Sequence, residues 1–560
     1  MSALPANQPV ASEPLFYLSV AEAAHLIATR QLSPVELVQA HLDRIAAVDP
    51  KIFAFITVLA DRALEQARAA EQEIMAGRYR GPLHGIPYSL KDNYYTRDIR
   101  TTAASRVLWD WVPTVDATIY SRLTQAGAIL LGKNNTWEFG TGTGEVQPDL
   151  PFPIARNAWD TAYFAAGSST GTGVSVAAGL AMIGMGSDTG GSVRAPAASG
   201  GLFGLKPTYG RLSRAGILPN SFSFDAAGPL TRNVRDAAIT MQAIAGHDPR
   251  DPTSADVPVP DYSADLGKGV KGLRIGFIRR FHERDVAADP QTVQALEAAV
   301  DVLKRLGAEI VELDVPYGVQ DYRLCVRLIG QSESLAIHEQ SFRERNQLMG
   351  PALRDKLLGS ISLSAFDFVK ATRWRQEIIA GTDAAIASCD AVICAGPMQL
   401  IPAANDQPGM VGYMLGSASC VFNVTGHPAA AICSGFDDRG LPLSLQIAGR
   451  YFDEATVLRV AAAYEAATNW TERHPSLRES PLPDPIPAAK PDTDNISTAP
   501  SRDEVAAILR RMRVAGVDAA MIDRAHALCT VTAGMIARLP PTLPRDTDSA
   551  HILSLPRSVG

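Results

Sequence analysis

The sequence predicts an α/β fold around a mixed sheet, and three observations lead there. Short apolar runs of strand length recur along the chain, among them Ile86–Leu90, Ala128–Leu131, Leu273–Ile278, Glu309–Leu313 and Asp390–Cys394. Helical patterns alternate with them, several opened by a capping residue. At 560 residues, 46% hydrophobic and 20% charged, the chain can bury a large core of the globular kind.

Taken in order, Ser19-Val-Ala-Glu and Ser33-Pro34-Val35-Glu36 have the capping-box form, with Pro34 at a first helical position, and place helices over 19–47. Residues 60–77 repeat apolar positions at helical spacing and stop at Gly77. Asp116–Ala126 reads as a helix, and Asp289 opens a long amphipathic one that ends near Leu306. Residues 320–378 are mainly helical and rich in charge, which predicts a solvated helical face. From His474 to Pro500 the composition turns to proline and polar residues, the signature of an extended linker. Two further helices follow, Asp503–Met512 and Ala519 to about Arg538. They are too small to hold a core alone, so they should dock on their own or a neighbouring globular domain. The organisation is therefore a globular domain 1–473, a proline-rich linker 474–500 and a helical tail 501–560.

Composition excludes several functions. A net charge of −7 argues against nucleic acid, which wants a basic stripe. No apolar run reaches the eighteen or so residues of a membrane span, and the N-terminus lacks the pattern of a secretory signal. The cysteines Cys325, Cys389, Cys394, Cys420, Cys433 and Cys529 show no C-x-x-C spacing. They read as buried thiols of a reducing compartment, and hence of a cytoplasmic protein. No H-E-x-x-H is present, and nothing calls for a metal or cofactor.

The chemistry concentrates in Gly167–Arg194, GSSTGTGVSVAAGLAMIGMGSDTGGSVR. Two Gly/Ser clusters, Gly167–Gly171 and Ser187–Ser192, bracket a charge-free apolar run. That run predicts a buried helix followed by a strand or turn, holding both loops as fixed ends. Thr189-Gly190-Gly191-Ser192 can aim backbone N–H donors at a developing negative charge beside a hydroxyl nucleophile. Such clusters also serve as ordinary turns. A hydroxyl nucleophile needs a base. Lys91, at the end of the apolar segment Ile86–Leu90, would become one if burial lowered its pKa; taken by itself it reads rather as an exposed strand-end charge. Gly167-Ser168-Ser169-Thr170-Gly171 formally matches the G-x-S-x-G elbow of α/β-hydrolases, but the preceding Trp159–Ala166 makes a poor strand.

Together, GPLHGIPYSLKDN, the GSSTG cluster and GSDTGGSVRAPAASGGLFGLKPTYGRL resemble the amidase signature family, the Ser-Ser-Lys hydrolases. The resemblance runs over roughly residues 15–470 and returns near the end as FNVTGHPAAAICSGF and GLPLSLQIAGRYFDEATVLRVAAAYE. It implies a single large sheet flanked by helices and an amidohydrolase that cleaves a carboxamide or carbamoyl-type C–N bond. Ser192 would be the nucleophile, Ser168 the bridging hydroxyl and Lys91 the base. Thr189, Gly190 and Gly191 would hold the oxyanion and substrate. Ser169, Asp188 and Arg194 would orient the loop, with a simple loop cap for Asp188 and a structural ion pair for Arg194 as alternatives. A small amide is the implied substrate and a homodimer the implied assembly. The same trio would serve the glutaminase component of an amidotransferase-type complex, or an esterase or carbamate hydrolase. Part of the 320–378 insert is implied to shape the pocket, with loops around Trp137, Gly142 and Ile401. The tail weakly resembles the small accessory subunits of some amidase-type proteins. The chain departs from the family in having Ala166 where a Gly-Gly pair is usual, and Thr170 and Thr172 in place of Gly and Ser.

Overall fold

The computed structural model describes residues 14–142, 151–482, 484 and 499–543. Numbered along the chain, the strands are β1 Phe55–Val58, β2 Pro87–Lys91, β3 Ile129–Asn134, β4 Ile183–Asp188, β5 Phe203–Lys206 and β6 Ala226–Thr231. The second half adds β7 Arg274–Phe277, β8 Glu309–Glu312, β9 Ala391–Ala395, β10 Ala429–Phe436 and β11 Pro442–Gly449. Among the described residues they form one sheet in the order β1-β3-β2-β4-β6-β5-β10-β11-β9-β7-β8. The β3-β2-β4 and β9-β7-β8 groups are parallel, and the strands between them antiparallel, so the sheet is mixed.

Both faces are covered, and the strand period shows it. Leu130 of β3 joins a core with Tyr88, Leu90, Ile183 and Met185, while its neighbours Ile129 and Leu131 join a second core on the other face. The first core is closed by helices that include Val234–Ile244, Pro290–Arg305 and Glu454–Thr468. The second is closed by Pro34–Ile52, Ala60–Met75 and Thr170–Ala177. Parallel strands buried on both faces carry long apolar runs, which is why β2, β3 and β9 are legible in the sequence.

The capping signals hold. Ser19 forms a full capping box with Glu22, and Asp289 caps Pro290–Arg305. Ser33 caps its helix by accepting from Val35 and Glu36, but its hydroxyl donates to Glu71 rather than closing a box. That helix runs on to Ile52, past the expected end at 47, because Ile45, Val48 and Ile52 continue its buried stripe through Pro50. The charge-free run resolves into the wholly buried helix Thr170–Ala177 and then β4.

The solvated face expected over 320–378 is not found. Val319–Arg345, Pro351–Ser360 and Ala365–Ile386 are helices that bury Tyr322, Leu324, Leu328, Leu353 and Leu357, and several of their charges face a cavity instead of solvent. The tail helices Arg502–Arg511 and Ala519–Ala537 dock on this same chain, packing Val505, Leu509, Ile522 and Cys529 against Leu353 and Leu357. Backbone bonds at Ala515, to Arg343 O (2.8 Å) and from Asn346 Nδ2 (2.9 Å), fix the turn between them. The start of the expected linker is anchored: Arg478 pairs with Asp160 as a bridge, and Ser480 Oγ donates to Asp160 at 2.6 Å. Residues 483 and 485–498 of that linker, and the chain after 543, lie outside the described residues. All six cysteines are buried and unpaired. No helix among the described residues is long and apolar enough to cross a membrane.

Candidate active site

The parallel pairing of β2 with β4 sets Leu90 opposite Met185 and so brings the end of β2 beside the end of β4. Lys91, the last residue of β2, is fully buried there. Its Nζ lies 2.8 Å from Ser168 Oγ and 2.9 Å from Ser187 Oγ. Burial pushes the Lys91 amine down from its usual range to about 7, against the opposing pull of Asp225 and Asp188. Between the buried base and the exposed charge that the sequence allows, Lys91 is the buried amine.

Ser168 sits in the loop that leads into Thr170–Ala177, and the Gly167–Ser168 peptide bond is cis. The loop passes so close to Trp137 that a Cβ on Gly167 would lie 2.2 Å from the indole ring, so this position accepts only glycine. Ala166, which replaces a usual glycine of the family, stands at φ +52°, the left-handed region. Ser169 faces the other way. Its Oγ donates to Ser187 O (3.2 Å) and accepts from Ser187 N (3.3 Å), tying the two Gly/Ser loops together. Among the described residues no strand leads directly into Gly167, so the elbow motif has no elbow.

Asp188 ends β4 and organises the turn that follows. Its carboxylate accepts from Gly191 N (2.7 Å), Val193 N (3.1 Å) and Asn423 Nδ2 (2.8 Å), and pairs with Arg194 at 2.9 Å. Burial opposes the ionised form, yet the Arg194 guanidinium and these donors win and hold the carboxyl well below its usual range. Arg194 is 1% exposed and also donates to Ser419 O and Gln446 Oε1, both at 2.7 Å. It forms a buried ion pair with Asp188. Thr189 Oγ1 donates to Asp225 Oδ1 at 2.6 Å. Gly191, at φ +121°, has spent its N–H on Asp188. The N–H groups of Thr189, Gly190 and Ser192 have no partner among the described residues.

Thr189, Gly190 and Ser192 line one wall of a cavity of about 660 Å³. Trp137 and Gly142 line it too, as expected, and so do Arg323, Arg327 and Lys356 of the insert. Ile401 itself packs with Trp137, Trp159, Phe164 and Leu441 in an apolar cluster behind the cavity, and the helix that follows its loop reaches the cavity through Gln407, Met414 and Leu415. Two contributors are not foreseen from the sequence. Ser187 is a second hydroxyl on Lys91, although its place one residue before Asp188 in the second cluster is a usable signal. Arg524, Leu528, Val531, Thr532 and Met535 of the tail also line the cavity, and nothing in their own pattern says so.

A buried amine near neutrality, touching Ser168 and Ser187 beside a glycine turn that carries Ser192, is equipment for acyl transfer. A family model described as Amidase matches residues 36–458. The chain belongs to the amidase signature family. The A-subunit of glutamyl-tRNA(Gln) amidotransferase from Moorella thermoacetica is 38% identical over 487 residues, covering 83% of this chain and 99% of that one. The native peptide amidase of Stenotrophomonas maltophilia is similar in structure, with a TM-score of 0.70 at 31% identity, over 82% of this chain and 98% of that one. A bacterial aryl acylamidase of the amidase signature family gives 0.75 at 25% identity, over 82% and 99%. The amidase match ends before the tail helices begin.

Proposed function

We propose that the chain cleaves the C–N bond of a carboxamide through an acyl-enzyme on Ser192. The observation that carries this reading is the 2.8 Å approach of a buried Lys91 amine, lowered to about 7, to Ser168 Oγ. In its neutral form Lys91 takes the proton of Ser168, which takes that of Ser192 as Ser192 Oγ attacks the carbonyl carbon. The N–H groups of Thr189, Gly190 and Ser192 receive the tetrahedral oxyanion, each worth about 3 kcal/mol in the transition state. When the C–N bond breaks, the proton returns from Lys91 through Ser168 to the leaving nitrogen. Water then repeats the attack and frees the acid. The N–H of Gly191 is not assigned to the oxyanion, because Asp188 holds it.

Identity of 38% with an amidotransferase A-subunit favours ammonia release from a primary carboxamide such as glutamine, in an amidotransferase-type reaction, over a free-standing amidase. That name also favours assembly with other subunits over the homodimer implied by the resemblance. The test is ammonia release and intact mass across glutamine, aliphatic and aryl amides, carbamates and ureido compounds, with Ser192→Ala as the blank. Turnover confined to primary amides, with a transient acyl mass on Ser192, is expected. Turnover that survives in Ser192→Ala sinks the assignment.

A further inference from the structure

The tail helix Ala519–Ala537 carries two working faces. Ile522, Ala525 and Cys529 point into the cluster shared with Leu353, Leu357, Val505 and Leu509, which is how the helix is held. Leu528, Val531 and Met535, at the spacing of the neighbouring helical stripe, line the same cavity as Ser192, Thr189 and Gly190. Three contacts fix which residues face inward. Thr532 Oγ1 donates to Gly359 O at 2.8 Å, Cys529 Sγ donates to Leu358 O at 3.5 Å, and Arg524 pairs with Asp355 at the rim. The helix packs over Gly359 in ordinary van der Waals contact, where a Cβ would lie 3.4 Å from Thr532 Oγ1 and 3.6 Å from Leu528 Cβ. Leu528 also packs on that cluster, and Val531 and Met535 pack on the sheet core, so their cavity-facing atoms are held in place. Apolar side chains so fixed along a cavity are the lining of a binding site.

We infer that this helix is a specificity-determining wall of the active site, and that Leu528, Val531 and Met535 receive an apolar part of the amide substrate. Because the match to the amidase family stops at residue 458, this wall belongs to the appended part of the chain. Amide chemistry would then be set by β2, β4 and their loops, and the size of the accepted acyl group by the tail. The inference rests on Ser192 being the reactive hydroxyl.

The test uses the full-length protein and two series of probes. One is primary aliphatic amides from acetamide to octanamide; the other is alkyl fluorophosphonates of short and long chain, which report on Ser192 without needing turnover. Val531→Trp fills the cavity at the wall, and the ratio of kcat/KM for the longest amide to that for the shortest should fall about tenfold or more. The long-to-short ratio of labelling rates should fall with it. Leu528→Ala should move both ratios the other way, and it carries the comparison if Val531→Trp does not fold. Ratios unchanged in these variants overturn the wall. Wild-type protein that labels at Ser192 but cleaves no amide refutes the proposed reaction, while the labelling ratios still decide the wall. Failure of both fluorophosphonates to label wild-type Ser192 overturns both.

Discussion

Two arginines each pair with an aspartate, Arg194 behind the glycine turn and Arg524 on the tail, and they hold their surroundings by opposite means. Arg194 and Asp188 are 1% and 0% exposed, and every group around them is bonded: Gly191 N, Val193 N, Asn423, Gln446 and Ser419 O all take part. Arg524 and Asp355 are 53% and 24% exposed and touch at the rim of the tail. The first pair is a buried charge network that shapes the glycine turn carrying Ser192, and it fails as a unit if one partner goes. The second is a surface pair on a helix that apolar packing already holds, through Leu509, Ile522 and Cys529. The glycine turn is fixed by polar geometry; the wall that faces it is fixed by burial. Such a division lets the wall change without disturbing the turn.

The sharpest way to break this comparison is on the chemical side. Ser192→Ala should lower amide turnover by on the order of a million-fold, and Lys91→Met by at least about a thousand-fold below pH 8, both with unchanged circular dichroism. Steady-state ammonia release reads both, and near wild-type rates in Lys91→Met would remove the base. Next in size is Asp188→Ala, which strands Arg194 without its counter-charge and should cost about 3–5 kcal/mol in urea unfolding. Within the tail, Leu509→Ala leaves a hole in the cluster with Leu353 and Leu357 and should cost about 2–4 kcal/mol. Its loss of activity should track unfolding rather than a shift in pH profile. Smallest is Arg524→Gln, expected below about 1 kcal/mol. A larger loss there would mean that the rim pair, not apolar packing, seats the helix.

The side of the cavity that carries Lys91, Ser168 and Ser192 is legible in the sequence because its signals are local. A lysine closing an apolar strand, glycines in a serine loop and a charge-free run between them each constrain their own few residues. Ser187 is harder: its contact with Lys91 depends on the register of β2 against β4, which no single segment contains. The charges of the insert mislead, since Arg323, Arg327 and Lys356 look like solvent residues until the fold turns them to a cavity. Around Ile401 the contact comes from the helix after the loop, at Gln407, Met414 and Leu415, while Ile401 itself packs behind the cavity beside Trp137 and Trp159. The tail is the least legible. Leu528, Val531 and Met535 make an ordinary amphipathic helix in the sequence, and only docking decides which of its residues also reach the cavity.

The pH dependence follows from Lys91 with its sign fixed. The amine is a base only when neutral, and burial places that transition near 7, well below the ordinary lysine range. Because the unfolded chain keeps this proton to higher pH, Lys91 makes the fold more stable as pH rises from about 7 toward that range. Lys91→Met should therefore raise Tm more at pH 6 than at pH 9, which differential scanning calorimetry can check.

The most direct measurement is the rate of fluorophosphonate labelling at Ser192 from pH 5.5 to 9, followed by intact mass, in wild type and in Lys91→Met. A Lys91–Ser168 relay predicts a wild-type rate that climbs with pH through about 7 and then levels, and a Lys91→Met rate that is far lower and lacks that inflection. The same inflection in both proteins would contradict it, since the group that activates Ser192 would then not be Lys91.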